Sequence, residues 1–254
     1  MTLIVTVISD FGIIQASDSH LTTADGRLLE PAAKVFNLDF AHGALAYFGR
    51  YGVDGRPIDR WMHDCIRDYG ETNDPTIEGF ARHLQTRLER EVSDDERQEG
   101  MMVQIAGYTE ADGARHPEMW FVRNLDMEST GEYSDGGVFK ISEDFWGRDY
   151  PKWLGAKPTG ADPVQQYYFN GYSEGRIAYY ALSQTFRSFY QQVWNHPGWH
   201  FRPPQTLEQL ASFVRLEISS VVTIFGSSDY PTPPIGGEIQ LEAYAPPTGA
   251  ITLL

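Results

Sequence analysis

Apolar positions near the start of the chain come in short, β-branched-rich runs. Leu3–Ile8 and Ile13–Ala16 are separated by Ser9-Asp10-Phe11-Gly12, and two such runs around a Gly-containing turn predict a β-hairpin. Val35–Leu38 and Ala44–Phe48, joined through His42-Gly43, predict a second strand pair. The period then becomes helical. Pro57 opens a helix to about Tyr69, with Ile58, Trp61, Met62 and Cys65 on one face and Gly70 as its stop. Asp74-Pro75 supplies a cap and first turn for a helix reaching about Val92, whose stripe is Ile77, Phe80, Ala81, Leu84 and Leu88. The charged run Ser93–Gly100 reads as a solvated connection.

A second β block follows. Met102–Tyr108 and Met119–Leu125 flank an Ala111-Asp112-Gly113 turn, Val138–Ile141 adds a strand, and Gly147–Asp162 is irregular. Two long helices come next. One spans about Ser173–Trp194, with Ala178, Leu182, Phe186, Phe189, Tyr190 and Val193 as its stripe. The other starts at Thr206, where Thr206 and Gln209 can form a capping box, and shows Leu207, Leu210, Val214, Ile218, Val221 and Phe225. Strands at Glu238–Tyr244 and Ala250–Leu253 end the chain. Alternating β blocks and helix pairs place residues 1–254 in the α+β class as a single domain, without choosing an architecture.

Composition narrows the function classes. A chain of 254 residues with 41% hydrophobic content can bury a large core, and 13% aromatic content argues against disorder. The net charge of −15 removes the basic footprint that nucleic-acid binding needs. No apolar run approaches the ~18 residues of a membrane span, and the apolar start lacks the basic flank of a signal peptide. The single Cys65 excludes an intramolecular disulfide, fits a reducing cytoplasm, and falls on an apolar helical face as a core residue.

The polar positions of the opening hairpin carry the candidate chemistry. Thr2, Asp18 and Lys34 stand at equal intervals of 16 residues. A hairpin returns the chain to its start, so Asp18 comes back beside Thr2, and a third strand ending near Lys34 completes the cluster. A threonine hydroxyl needs a base to act as a nucleophile. After removal of Met1, which a small following residue permits without a long propeptide, the α-amine of Thr2 can be that base, with an ordinary pKa of about 7.7–8.0. A Lys34 ammonium would favour the neutral amine and an alkoxide-like hydroxyl. Asp18 would keep that ammonium charged and oriented, since a buried lysine without a partner is costly. Singly, each residue also has a plain structural reading: Asp18 capping a turn, Lys34 on the surface, Thr2 in a strand.

Two other patterns compete. Gly171-Tyr172-Ser173-Glu174-Gly175 matches a G-x-S-x-G nucleophile elbow. Only His196 and His200 follow it and no Asp intervenes before His200, so Ser173 reads better as a helix cap. Pro197-Gly198 would break any helix that put His196 and His200 on one metal-binding face. No P-loop or G-x-G-x-x-G is present, so neither a metal nor a nucleotide cofactor is indicated.

Thr2-Leu3-Ile4-Val5, Gly12-Ile13-Ile14-Gln15-Ala16-Ser17-Asp18-Ser19 and Lys34-Val35-Phe36 resemble the N-terminus of proteasome β-type subunits, which are N-terminal-nucleophile (Ntn) hydrolases. Ala46-Tyr47-Phe48-Gly49 is similar to that family's small-residue strand end, where a glycine amide forms the oxyanion hole. The resemblance covers roughly the first fifty residues. Among bacterial relatives it points to the ancestral-β-subunit (Anbu) branch or a neighbouring minor lineage. It implies a four-layer αββα sandwich and a cytoplasmic threonine hydrolase that cleaves peptide or other amide bonds. Thr2, Asp18 and Lys34 would be catalytic. The amide of Gly49, or of Phe48 if the alignment slips by one, would hold the oxyanion, and His20, Ala33 and Ala46 would line the pocket beside the scissile bond. The resemblance also implies homo-oligomeric rings or spirals and no metal or organic cofactor.

Two departures stand against it. Active members support the threonine with an Asp and a Ser just before a Ser-Gly-Gly strand start. Here Asp229 precedes a proline-rich approach, and Ile235 stands in the serine's place before Gly236-Gly237. The second supporting serine has only Pro158-Thr159-Gly160 as a loose counterpart. A second expectation therefore remains: a catalytically silent assembly or binding protein that keeps the fold.

Overall fold

The computed structural model describes residues 2–22, 27–72, 75–98, 100–124, 126–127, 133–134, 137–146, 149, 158–170, 173–198, 200, 202–227, 229 and 235–248. The opening hairpin is β1 (Thr2–Ser9) and β2 (Gly12–Ser17), in a register that pairs Ile4 with Ser17 and Ser9 with Gly12. At its turn the Phe11 amide donates to Ser9 Oγ. Gly12 has φ +137°, and a Cβ there would lie 2.0 Å from the Tyr244 carbonyl oxygen, so the close approach requires glycine.

The strands that follow are β3 (Val35–Leu38), β4 (Gly43–Phe48), and the short pair β5 (Gly52–Val53) and β6 (Arg56–Pro57). Helices α1 (Ile58–Gly70) and α2 (Ile77–Glu91) precede β7 (Met102–Ala111) and β8 (Ala114–Arg123). Then come β9 (Asp126–Met127), β10 (Tyr133–Ser134), β11 (Lys140–Trp146) and β12 (Val164–Asn170). Helices α3 (Ser173–Asn195) and α4 (Leu207–Gly226) lead to β13 (Gln240–Tyr244). One antiparallel sheet has the order β12-β1-β2-β13 and the other β11-β8-β7-β4-β3.

Strand alternation assigns the faces. Leu3, Val5, Val7, Ile14 and Ala16 pack with Leu210, Val214, Ile218, Val221 and Phe225 of α4. Their neighbours Ile4, Ile8 and Ile13 pack with Ala46, Phe48, Met102, Ala106 and Met119 of the other sheet. On that sheet's far side, Leu45, Tyr47, Val103 and Ile105 join Trp61, Phe80, Leu84 and Leu88 of α1 and α2. The two main sheets therefore face each other and carry helices on their outer sides, an α+β sandwich. Each fully buried Leu, Ile or Phe in these layers is worth roughly 1.5–3 kcal/mol in transfer from water.

The amphipathic stripes of α1, α2 and α4 lie where the periodicity puts them. Several other expectations need correction. Helix α2 begins at Ile77 with Thr76 as its cap, whose Oγ1 accepts the Gly79 amide at 3.1 Å; Asp74 lies outside the described residues. Asp112 and Gly113 both take positive φ, so β7 and β8 run on to a two-residue turn. Strand β11 starts at Lys140, and Val138 is exposed. Strand β12 was not anticipated: Gln165-Gln166 interrupts its apolar run, and pairing with β1 supplies what the local pattern lacks.

Phe189 on α3 is exposed, while Tyr190 is buried. In the Ser93–Gly100 stretch Ser93, Asp94 and Asp95 are exposed, as a solvated connection requires, while Glu96 and Arg97 dock against the fold. Buried Arg50 pairs with Glu96 at 3.0 Å, Arg97 pairs with Glu89 at 2.9 Å, and Asn124 Nδ2 donates to the Arg97 carbonyl. Helix α4 is long and apolar enough, by length and composition, to cross a membrane, contrary to the reading of the chain; in the fold its buried stripe covers β2 and β13. Leu125, Gly171-Tyr172, most of Gly147–Lys157, the Ala178 and Leu182 side chains, and Ala250–Leu253 lie outside the described residues.

Candidate active site

Thr2 begins β1 opposite Asn170 of β12, and alternation turns its side chain to the same inter-sheet side as Ile4. Because Ile4 pairs with Ser17, the next residue, Asp18, arrives beside Leu3, whose amide donates to Asp18 Oδ1 at 3.0 Å. Lys34 comes from the other sheet. It stands just before β3 rather than at the end of a strand, a correction to the expected placement. Its position is set by backbone contacts on two sides. The Lys34 and Val35 amides donate to Gln240 Oε1 at 2.6 and 3.1 Å, and Gln240 Nε2 donates to the Ala32 carbonyl at 2.8 Å. From β4, the Tyr47 amide donates to the Lys34 carbonyl at 3.1 Å.

The three side chains meet. Lys34 Nζ donates to Thr2 Oγ1 at 2.8 Å and to Asp18 Oδ1 at 3.2 Å. Lys34 and Asp18 are fully buried and Thr2 is 4% exposed. Asp18 Oδ2 accepts the amides of His20 and Gly236 at 3.2 and 3.3 Å. Leu3, Lys34, His20 and Gly236 thus supply four donors, matching the lone-pair sites of a carboxylate. Burial lowers the Lys34 pKa below its ordinary value, against the opposing pull of the Asp18 charge and hydrogen bond. An ammonium so placed polarises the Thr2 hydroxyl and would stabilise the oxyanion left when that hydroxyl loses its proton.

The Gly236-Gly237 segment docks directly on this site. The Gly236 carbonyl accepts the Ser19 and His20 amides, each at 3.2 Å, and the Glu238 amide donates to Ser19 Oγ at 2.8 Å. A Cβ on Gly236 would stand 2.6 Å from the His20 ring. Gly237 has φ +77°, and a Cβ there would lie 2.3 Å from Ser19 Oγ. Ile235 is buried in the α4-side core and brings no polar side chain to Thr2, and Asp229 is exposed. Thr159 lies in the loop before β12, whose first residue pairs with Ile8, at the end of the hairpin away from Thr2.

The remaining predicted residues sit around the cluster. His20 contributes its amide to Asp18 and its ring to the glycine segment. Ala33 is half-buried beside Lys34, and Ala46 is buried opposite Val35. Phe48 fills the inter-sheet core, and Gly49 follows it at φ +113°, where a Cβ would lie 2.2 Å from the Gly100 carbonyl oxygen. A cleft of about 490 Å³ opens past Ala32, walled by Leu21, Pro31, Arg50 and Tyr51. Gln240 was missed in sequence, and Gly236 was noted only as part of the Gly236-Gly237 strand start, without its bond to Asp18. Each acts on a residue more than 200 positions away, and no local signal marks such a partner.

Among the described residues no group of three His, Cys, Asp or Glu side chains is placed to hold a metal. His196 Nδ1 accepts the Gly198 amide and His200 is exposed. No protein-family model matches the chain, and no curated protein matches it in sequence.

Proposed function

We propose that the protein is a threonine hydrolase of the N-terminal-nucleophile type, with a proteasome-like four-layer αββα fold, acting on peptide or other amide bonds in the cytoplasm. The observation that carries this reading is the 2.8 Å hydrogen bond from buried Lys34 Nζ to Thr2 Oγ1, with Asp18 on the same ammonium. A lysine committed only to stability would not need a hydroxyl at the chain's start as its second partner.

With Met1 attached, the Thr2 nitrogen is an amide and cannot act as a base, so the reading requires its removal. The free amine then takes the Oγ proton as Oγ attacks the carbonyl carbon. Lys34 stabilises the developing alkoxide, and the amide of Gly49 or Phe48 holds the oxyanion. The C–N bond breaks, the amine product leaves with the proton held by the Thr2 amine, and an ester remains on Oγ. Water, activated by the same amine, cleaves the ester, releases the carboxylic acid and restores the hydroxyl. The cleft past Ala32 would receive a substrate side chain. Assembly of copies into a ring or spiral belongs to the same reading.

A second reading, a catalytically silent assembly or binding protein, is favoured by one observation. Among the described residues of that segment, buried Ile235 stands where the supporting serine is expected, and Asp229 is exposed. Mass spectrometry of protein treated with a threonine-directed β-lactone or epoxyketone separates the two. The hydrolase reading expects an N-terminal threonine and an adduct on it, absent in Thr2→Ala, with amide hydrolysis reduced by about 10³-fold or more. Retained Met1 with no adduct sinks it in favour of the silent protein.

A further inference from the structure

The turn after β4 carries the Gly49 amide and is fastened to the connection between α2 and β7. Gly49 itself is pressed onto that connection: at φ +113° a Cβ would lie 2.2 Å from the Gly100 carbonyl oxygen and 2.8 Å from Met101 Cα. The next residue, Arg50, is 5% exposed and sends its guanidinium to the same stretch of chain. Nη2 pairs with Glu96 Oε1 at 3.0 Å, Nη1 donates to the Glu96 carbonyl, and Nε donates to the Gly52 carbonyl at 3.0 Å. One side chain thereby joins both Arg50 and Gly52 to Glu96. The three bonds use the rigid fork of a guanidinium, whose donors are fixed in direction.

Glu96 is a firm anchor because the connection is held elsewhere as well. Its Oε2 accepts the Ser93 amide and hydroxyl, each at 2.9 Å, and Ser93 Oγ accepts the Glu96 amide at 3.4 Å, a reciprocal capping box. Arg97 ties to Glu89 of α2 at 2.9 Å and donates to the Val92 carbonyl at 3.2 Å. Asn124, just past β8, accepts the Met101 amide at 2.7 Å and donates to the Arg97 carbonyl at 3.0 Å. These contacts bind the connection to α2 and β8 without involving Arg50.

A buried ion pair adds little net stability over apolar side chains of the same size, but its directional bonds fix geometry. Here the geometry fixed is that of the residue beside Gly49. Donors to a reacting oxygen act only when placed within about 0.5 Å of the productive position. Loss of one such donor lowers turnover by about 10²–10³-fold. Arg50, Gly52 and Glu96 also line the cleft past Ala32, so the clamp lies beside the expected substrate and not on a remote face.

We propose that Arg50 and Glu96 are positioning residues of the candidate active site: their ion pair holds the turn after β4 so that the Gly49 amide is presented to the oxyanion formed by attack of Thr2. This rests on the hydrolase reading. The test compares the wild-type full chain with Arg50→Met, which removes all three bonds, and with Ser93→Ala, which weakens the cap and leaves the Arg50 bonds. A threonine-directed β-lactone is titrated, since opening of its ring by Thr2 Oγ passes through the same kind of oxyanion. Intact mass spectrometry gives the limiting rate of acylation and the half-saturating concentration. Hydrogen exchange, read by mass spectrometry, follows the Gly49–Gly52 segment.

In Arg50→Met the limiting rate should fall about tenfold or more, with the half-saturating concentration within about twofold of wild type. Exchange at Gly49–Gly52 should rise about tenfold. Ser93→Ala should leave rate and exchange within about twofold of wild type. An unchanged limiting rate in Arg50→Met, unchanged exchange at Gly49–Gly52, or an equal loss of rate in Ser93→Ala overturns the proposal and leaves the hydrolase reading in place. A wild type that forms no adduct sinks the hydrolase reading and the proposal together. Circular dichroism establishes that the variants fold. If Arg50→Met does not fold, Glu96→Ala decides by the same two readouts.

Discussion

Lys34 and Glu217 are both ionisable and both buried, but their surroundings differ in kind. The Lys34 ammonium touches a hydroxyl and a carboxylate, the carboxylate is filled by three backbone amides, and a glutamine clips the Lys34 backbone in place. Glu217 of α4 instead lines a cavity between α3 and α4, shared with Tyr190, whose buried hydroxyl makes no hydrogen bond among the described residues. A charge held by a hydroxyl, a counter-charge and a clipped backbone is part of a fixed constellation.

Removing Asp18 should break this contrast most severely. Asp18→Ala leaves a buried ammonium without its counter-charge and the Leu3 and Gly236 amides without this acceptor, at a cost of about 3–5 kcal/mol. Urea unfolding should show a lower midpoint with an unchanged slope. A loss under about 1 kcal/mol would mean that water reaches Lys34 and that its shell is not closed. Gln240→Ala strikes the same site through the backbone. It orphans the Lys34 and Val35 amides and the Ala32 carbonyl, and about 1–3 kcal/mol should be lost.

Glu91 provides an intermediate case, a partly exposed charge with several partners. The hydrogen bonds from Arg87, followed by those from Arg90 and Trp61, hold its carboxyl down to about 2 against an ordinary 4.5. A depressed carboxylate pKa adds stability above the ordinary value, and that stability is lost as pH falls from 4.5 towards 2. Thermal melting across this window should fall less steeply for Glu91→Gln than for the wild type. The smallest effect is expected on the exposed side of α3, where Phe189→Ala should change stability by less than about 0.5 kcal/mol.

Much of the architecture was legible in the chain because helix and strand periods are local. Ile58, Trp61, Met62 and Cys65, and likewise Ile77, Phe80, Ala81, Leu84 and Leu88, had to face one side if they formed helices, and a sheet covers that side. The Thr2–Asp18 meeting was legible for a related reason: a hairpin's register follows from its turn, so the residue after β2 must return to the start of β1. Lys34 was found by its spacing, but not how it is held. Its clip, Gln240, is 206 residues away, and Gly236 reaches Asp18 across 218. Strand β12 escaped notice because an edge strand takes its conformation from its neighbour as much as from its own residues.

The sequence by itself determined which side chains could be buried and in what period, and it determined the turn that folds Asp18 onto Thr2. Those outcomes depend on contacts between near neighbours, whose geometry the backbone restricts to few choices. Tertiary structure alone decided that Lys34 would be enclosed, that Gly236 would complete the shell of Asp18, and that Tyr190, Phe213 and Glu217 would share one cavity. These depend on where distant elements come to rest, and many sequences with the same local pattern would set them down differently.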